Sequence, residues 1–145
     1  MKDRKFRKNN LGIGGWVAGG KYGIERYAYT LHRVTGVGIL IYFIIHIFAM
    51  GSRMGGAESF NAIMTTFDQP IFKIGEYLVL LAFIFHALNG LRLVFIELGN
   101  LIGKPQRPIY PYRTSVKTQR PVFIVLMVLA AVFVVIGSYD FFILH

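Results

Sequence analysis

The sequence predicts an all-α integral membrane protein with three transmembrane helices, and two observations carry that prediction. Of the 145 residues, 54% are hydrophobic and only 16% charged, with a mean hydropathy of +0.52, which is far from the balance of a soluble domain. The apolar residues are also gathered into three long segments, each of a length suited to the hydrocarbon layer and flanked by polar or basic residues. The formal net charge of +9 would suit a nucleic-acid binder in magnitude. The basic residues, however, sit in blocks between apolar runs, as the positive-inside rule describes, so a lipid bilayer and no nucleic acid is the expected partner. The chain has no cysteine, hence no disulfide and no thiolate to hold a metal or an iron–sulfur cluster. Iron or copper chemistry would have to rest on His32, His46, His86 and His145.

The chain divides into six segments. Residues 1–28 form an arm: a basic tail, Met1 to Asn10, then a glycine-rich stretch with Trp16 and Tyr22, whose rings suit the headgroup region. The tail lacks the apolar core and cleavage site of a secretory signal and is expected to remain in the mature protein. Residues 29–53 are the first span. From Val34 to Ser52, 19 residues carry no Asp, Glu, Lys or Arg, about 28 Å of helix. His32 and His46 lie fourteen residues apart there, on nearly the same face and about 21 Å apart in depth. Residues 54–69 read as a loop with a helical turn between Ala57 and Phe67. Residues 70–99 are the second span, opened by Pro70 in the first turn and completed by Lys73, Glu76 and Arg92 reaching towards the interfaces. Residues 100–119 form a basic, proline-rich loop. Residues 120–143 hold the third span, in which Pro121 to Tyr139 contains neither charge nor histidine. Lys and Arg concentrate in the arm and in the 100–119 loop, which predicts a cytoplasmic N-terminus.

Within the second span, Phe85-His86-Ala87-Leu88-Asn89-Gly90-Leu91-Arg92 places three hydrogen-bonding or ionisable groups where such groups are costly. Gly75, Ala82, His86 and Gly90 share one helical face. Small residues a turn either side of an imidazole leave a slot that suits a porphyrin when histidine ligates its iron. They equally suit a histidine hydrogen-bonded to a closely packed neighbouring helix. His46 has the same two readings.

Two motifs bring a family into view. His32-Arg33-Val34-Thr35-Gly36 resembles the His-Arg-x-Ser/Thr-Gly motif of the succinate dehydrogenase cytochrome b556 family, the haem-binding membrane anchors of succinate:quinone oxidoreductase. His86-x-x-x-Gly90-Leu91-Arg92 resembles that family's second motif, His-x-x-x-Gly-aliphatic-Arg. The likeness covers roughly residues 16 to 100, and the run from Phe67 to Gly99 is most similar to actinobacterial and thermophile-type versions. It implies a role for His86 as axial ligand of haem b, with Arg33 and His32 beside the quinone headgroup and the haem propionates and Arg92 also serving the propionates. Where the bacterial pattern often has serine three residues before the His-Arg pair, this chain has Tyr29. Tyr29 or Thr30 would then be the quinone's hydrogen-bond donor.

Some relatives of that family carry a histidine in each of the first two helices and hold two haems. In that arrangement His46 would ligate the outer one. The resemblance further implies a prokaryotic cytoplasmic membrane, a second membrane anchor supplying further ligands, and iron–sulfur and flavoprotein subunits that carry the succinate chemistry. No complete active site is expected on this chain. The alternatives are a haem-free structural anchor of the same complex, or the anchor of a fumarate reductase or another quinone-linked b-type cytochrome.

Overall fold

In the computed structural model residues 24–102 and 116–144 are described. Trp16, Tyr22, the 103–115 part of the basic loop and His145 lie outside them. The described residues form four helices: α1 (Ile24–Gly51), α2 (Gly56–Phe67), α3 (Pro70–Glu97) and α4 (Val116–Tyr139). A tight 3-10 turn, Ser52–Gly55, joins α1 to α2, and a π-helical turn, Asp140–Leu144, extends α4. Three segments are long and apolar enough to cross a membrane: Ile24–Phe67, Pro70–Glu97 and Thr118–Leu144.

Helix α1 has 28 residues, about 42 Å, against a hydrocarbon thickness of about 30 Å. It begins well before the charge-free run, with Glu25, Arg26 and Arg33 on its first turns. Charged side chains at a helix end extend their stems along the apolar surface and keep their heads in the interface, so an apolar run understates helix length. The same holds for α4, whose helix includes Lys117 and Arg120 ahead of the apolar stretch.

Helix α3 opens with Pro70 after an extended Gln69. It ends in a left-handed glycine, Gly99 at φ 80°. Gly99 N donates to the Ile96 carbonyl and Asn100 N to the Phe95 carbonyl, the paired bonds that close a helix where only glycine meets little strain. Helix α2, at 12 residues, is too short to span. Its less exposed residues, Ser59, Phe60, Ile63, Met64 and Phe67, recur at helical spacing, so it presents one apolar stripe.

Helix α3 packs against both α1 and α4, antiparallel to each. At the end carrying the start of α1, which we call the basic end, Arg120 of α4 binds Glu25 of α1 with two 2.8 Å contacts. At the opposite end the Tyr77 hydroxyl of α3 lies 2.9 Å from Ser138 Oγ of α4. The interior is small: Ala28, Thr35 and Ala49 on α1, Asn89 and Arg92 on α3, and Phe123, Leu126 and Ala130 on α4 are buried. Small residues at these contacts let helices approach closely where apolar burial gives no drive, since lipid is as apolar as leucine.

Candidate functional site

The basic end gathers most of the polar residues that the sequence singled out. His32, Thr35 and Gly36 of α1 face His86 and Gly90 of α3. The His32 and His86 imidazoles stack, with centroids 3.9 Å apart and planes 9° from parallel. His86 Nδ1 lies 3.0 Å from the His32 carbonyl oxygen and 3.2 Å from Thr35 Oγ1. Thr35 is itself 2.8 Å from the Leu31 carbonyl and 3.0 Å from that of His32. The ring of His86 fits against bare backbone, for a Cβ at Gly36 would stand 2.8 Å from His86 Cε1. The slot beside Gly90 is taken by His32, whose Cε1 would be 3.5 Å from a Cβ there.

These contacts fix the chemistry of the ring. A carbonyl oxygen can only accept, so the nitrogen beside it carries the proton, and His86 is held as the Nδ1–H tautomer with its lone pair on Nε2. Nε2 has no hydrogen bond among the described residues. A turn further on, Asn89 is fully buried and Arg92 is 5% exposed, with the Arg92 guanidinium 5.2 Å from the centre of the Phe123 ring. Asn89 Nδ2 and Oδ1, Arg92 Nε and His32 Nδ1 are buried with no hydrogen-bond partner among the described residues. Buried polar atoms are nearly always satisfied, so such a cluster marks a place where water or a polar group belongs.

Arg33 turns away from this cluster. Its Nη1 donates to the Tyr29 hydroxyl at 2.8 Å, both residues being exposed on the outside of the three-helix array, and Arg26 also approaches the Tyr29 ring. Thr30 is half-buried on the same helix. The His-Arg pair is therefore split, with His32 against His86 and Arg33 beside Tyr29 on an open face.

His46 lies at the other end, exposed, with its ring 5.7 Å from that of Tyr42. It lines a cavity of about 380 Å³ between α1, α2 and α3, together with Gly38, Met64, Phe67, Gly75 and Glu76. The segment read as a loop supplies part of its wall through α2. Gly75 thus serves this cavity and not the His86 slot. Among the described residues no three His, Asp or Glu side chains converge to hold a metal ion by themselves. Sequence reasoning gave no role to Gly36, Thr35, Phe123 or the Glu25–Arg120 pair in building the site. Of these only Thr35 and Gly36 left a signal, as part of the first motif.

Comparison with known proteins bears on what this arrangement serves. A family model described as succinate dehydrogenase/fumarate reductase transmembrane subunit matches residues 18–136. The chain is similar to the succinate dehydrogenase 2 membrane subunit SdhC of Mycobacterium tuberculosis, 29% identical over 116 residues that cover 80% of this chain and 81% of the relative. It is also similar to a succinate dehydrogenase hydrophobic membrane anchor subunit of Halobacterium salinarum. Identity there is 31% over 74 residues, half of this chain and 57% of the other.

Proposed function

Since the chain belongs to the succinate dehydrogenase/fumarate reductase transmembrane subunit family and is a multi-pass membrane-anchor subunit of such a complex, we propose that it holds haem b through His86 and helps form the quinone site. The observation that carries this is the state of the His86 ring. Nδ1 is tied to the His32 carbonyl and to Thr35, while Nε2 keeps its lone pair and has no hydrogen bond among the described residues. Histidines that ligate metals nearly always donate their other N–H to such a partner. Stacking by His32 covers a face of the ring, and ligation uses its edge, so the two do not compete.

His32 fills the slot beside Gly90, so the fit to the group rests on Gly36 and Arg92. Gly36 admits the imidazole, and Arg92 would pair with propionate carboxylates, a charge-assisted contact for a guanidinium whose Nε has no hydrogen-bond partner among the described residues. Bound haem would supply one-electron storage between the iron–sulfur subunit and quinone. Arg33, Tyr29 and Thr30 would face quinone, the arginine stabilising negative charge that develops on a reduced oxygen. The exposure of Arg33 and Tyr29 on one side of the helices suits a pocket completed by a second membrane anchor. His46, with the cavity beside it, would ligate a second haem, each haem taking its other ligand from the partner anchor. Succinate chemistry would lie on flavoprotein and iron–sulfur subunits, and the N-terminus on the cytoplasmic side of a prokaryotic membrane.

Haem content per purified complex tests this reading: His86→Ala and His46→Ala are each expected to lose one haem. A His46→Ala complex with its full complement removes the second haem, and a His86→Ala complex with its full complement removes the first. A haem-free anchor is the second reading, because the same stack and hydrogen bonds also satisfy a purely packing histidine. A pyridine-haemochrome spectrum of the wild-type complex without a b-type signal would favour it.

A further inference from the structure

We propose that Thr35 is a positioning residue for His86: its hydroxyl, as an acceptor for Nδ1–H, sets both the rotation of the imidazole and the electron density it offers through Nε2. This rests on the assignment of His86 as haem ligand. A threonine bonding back to the carbonyl a turn earlier is ordinary in a membrane helix and means little alone. Two further observations take Thr35 out of that class. It is buried, 9% exposed, and its oxygen reaches across to a second helix, 3.2 Å from His86 Nδ1.

Proton arithmetic then fixes the direction of each bond. The hydroxyl has one proton, and its nearer carbonyl, Leu31 at 2.8 Å, takes it. What Thr35 turns towards Nδ1 is therefore a lone pair. The His32 carbonyl at 3.0 Å is the other acceptor, so the Nδ1–H bond is shared between two oxygens. Each acceptor draws the Nδ1 proton outwards and makes the ring more basic at Nε2. Gly36, directly after Thr35, lets the ring come close enough for both bonds. The three residues His32, Thr35 and Gly36 thus act on His86 as one turn of helix, through a carbonyl, a hydroxyl and a missing side chain.

Loss of the hydroxyl leaves one acceptor and a less electron-rich imidazole, which stabilises ferric iron less. Thr35→Val, nearly isosteric, is expected to shift the haem midpoint potential in the purified complex to more positive values and to weaken haem retention about 10-fold, the lower end for lost outer partners of metal ligands. Thr35→Ser keeps the oxygen and is expected to keep the wild-type potential, an outcome that a packing role for the methyl group would not give. Should the valine variant not assemble, Thr35→Ala read against Thr35→Ser makes the same comparison. An unshifted potential in the hydroxyl-free variant overturns the proposal, as does an equal shift in the serine variant. His86→Ala in the same series separates the two levels. Loss of haem there with no shift from Thr35 overturns the positioning role alone, whereas full haem content overturns the ligand assignment and the role of Thr35 with it.

Discussion

Alanine at position 36 would bring its Cβ to 2.8 Å from His86 Cε1, closer than such atoms ordinarily stand. Two effects oppose each other. Replacing glycine inside a helix gains about 1 kcal/mol of propensity, and overpacking a fitted contact costs about 1–3 kcal/mol. Overpacking wins here because the ring cannot swing aside without giving up its bonds to the His32 carbonyl and Thr35. Gly36→Ala is therefore expected to lower the thermal stability of the detergent-solubilised complex and its haem content together. Gly51 is the control. It is helical, at φ −59° and ψ −25°, with nothing within 4 Å of a built Cβ, so Gly51→Ala is expected to be neutral or to stabilise by about 0.4–1 kcal/mol. Equal behaviour of the two variants would show that the contact at Gly36 relaxes freely.

At the end away from the histidine pair, Tyr77 of α3 and Ser138 of α4 share a polar contact whose two sides are unequal. Ser138 Oγ donates to the Val134 carbonyl at 2.6 Å, so at 2.9 Å it is the Tyr77 hydroxyl that donates to Ser138. Tyr77→Phe leaves Ser138 satisfied within its own helix. Ser138→Ala leaves the tyrosine hydroxyl without an acceptor among apolar rings, Phe141 and Phe142. The serine variant is thus expected to cost more, about 1–3 kcal/mol for an orphaned donor, against about 0.6 kcal/mol for an interhelical bond removed cleanly in a membrane. Thermal unfolding of both variants checks the order, and a costlier Tyr77→Phe would contradict the assigned direction of the bond. Contacts of this kind also explain what the sequence could and could not disclose. The three spans were legible because each is a run of apolar residues of bilayer length. Helix α2 was legible only as a helical turn between Ala57 and Phe67 within a loop, since its twelve residues, Gly56–Phe67, carry a stripe too short to mark a full element. The start of α4 was hidden by Lys117 and Arg120, polar residues inside a helix that an apolar count excludes. At the site, His86 announced itself by type and setting. Its stack with His32 did not, because which residue of α1 lies opposite depends on the relative register of two helices, and register is not written in either one. Glu25 and Arg120, ninety-five positions apart, meet for the same reason.

Over the whole molecule the charge is as unevenly placed as the polar groups of the site. Of the 16 Lys and Arg residues, Arg53 and Lys73 alone belong to the turn and helix ends around α2. Lys73 is paired with Asp68 at 3.4 Å, and Glu58 and Glu76 offset charge on that side further. The remaining basic residues belong to the arm, the basic end and the 100–119 loop. Under the proposed orientation, with basic segments retained on the cytoplasmic side during insertion, the His32–His86 pair would lie towards the cytoplasm and the His46 cavity towards the outside. That is the order electrons would need on leaving a soluble iron–sulfur subunit bound at the inner face. The absence of cysteine from the chain makes this directly measurable, because any thiol introduced is the only one on it. Glu58→Cys on α2 and Asn100→Cys after α3 are both exposed positions outside the histidine cluster. In intact cells a membrane-impermeant maleimide is expected to label the first and not the second, which should react only after permeabilisation. The reverse pattern would put His46 nearest the soluble subunits, and His86 could then no longer be the haem ligand next to them.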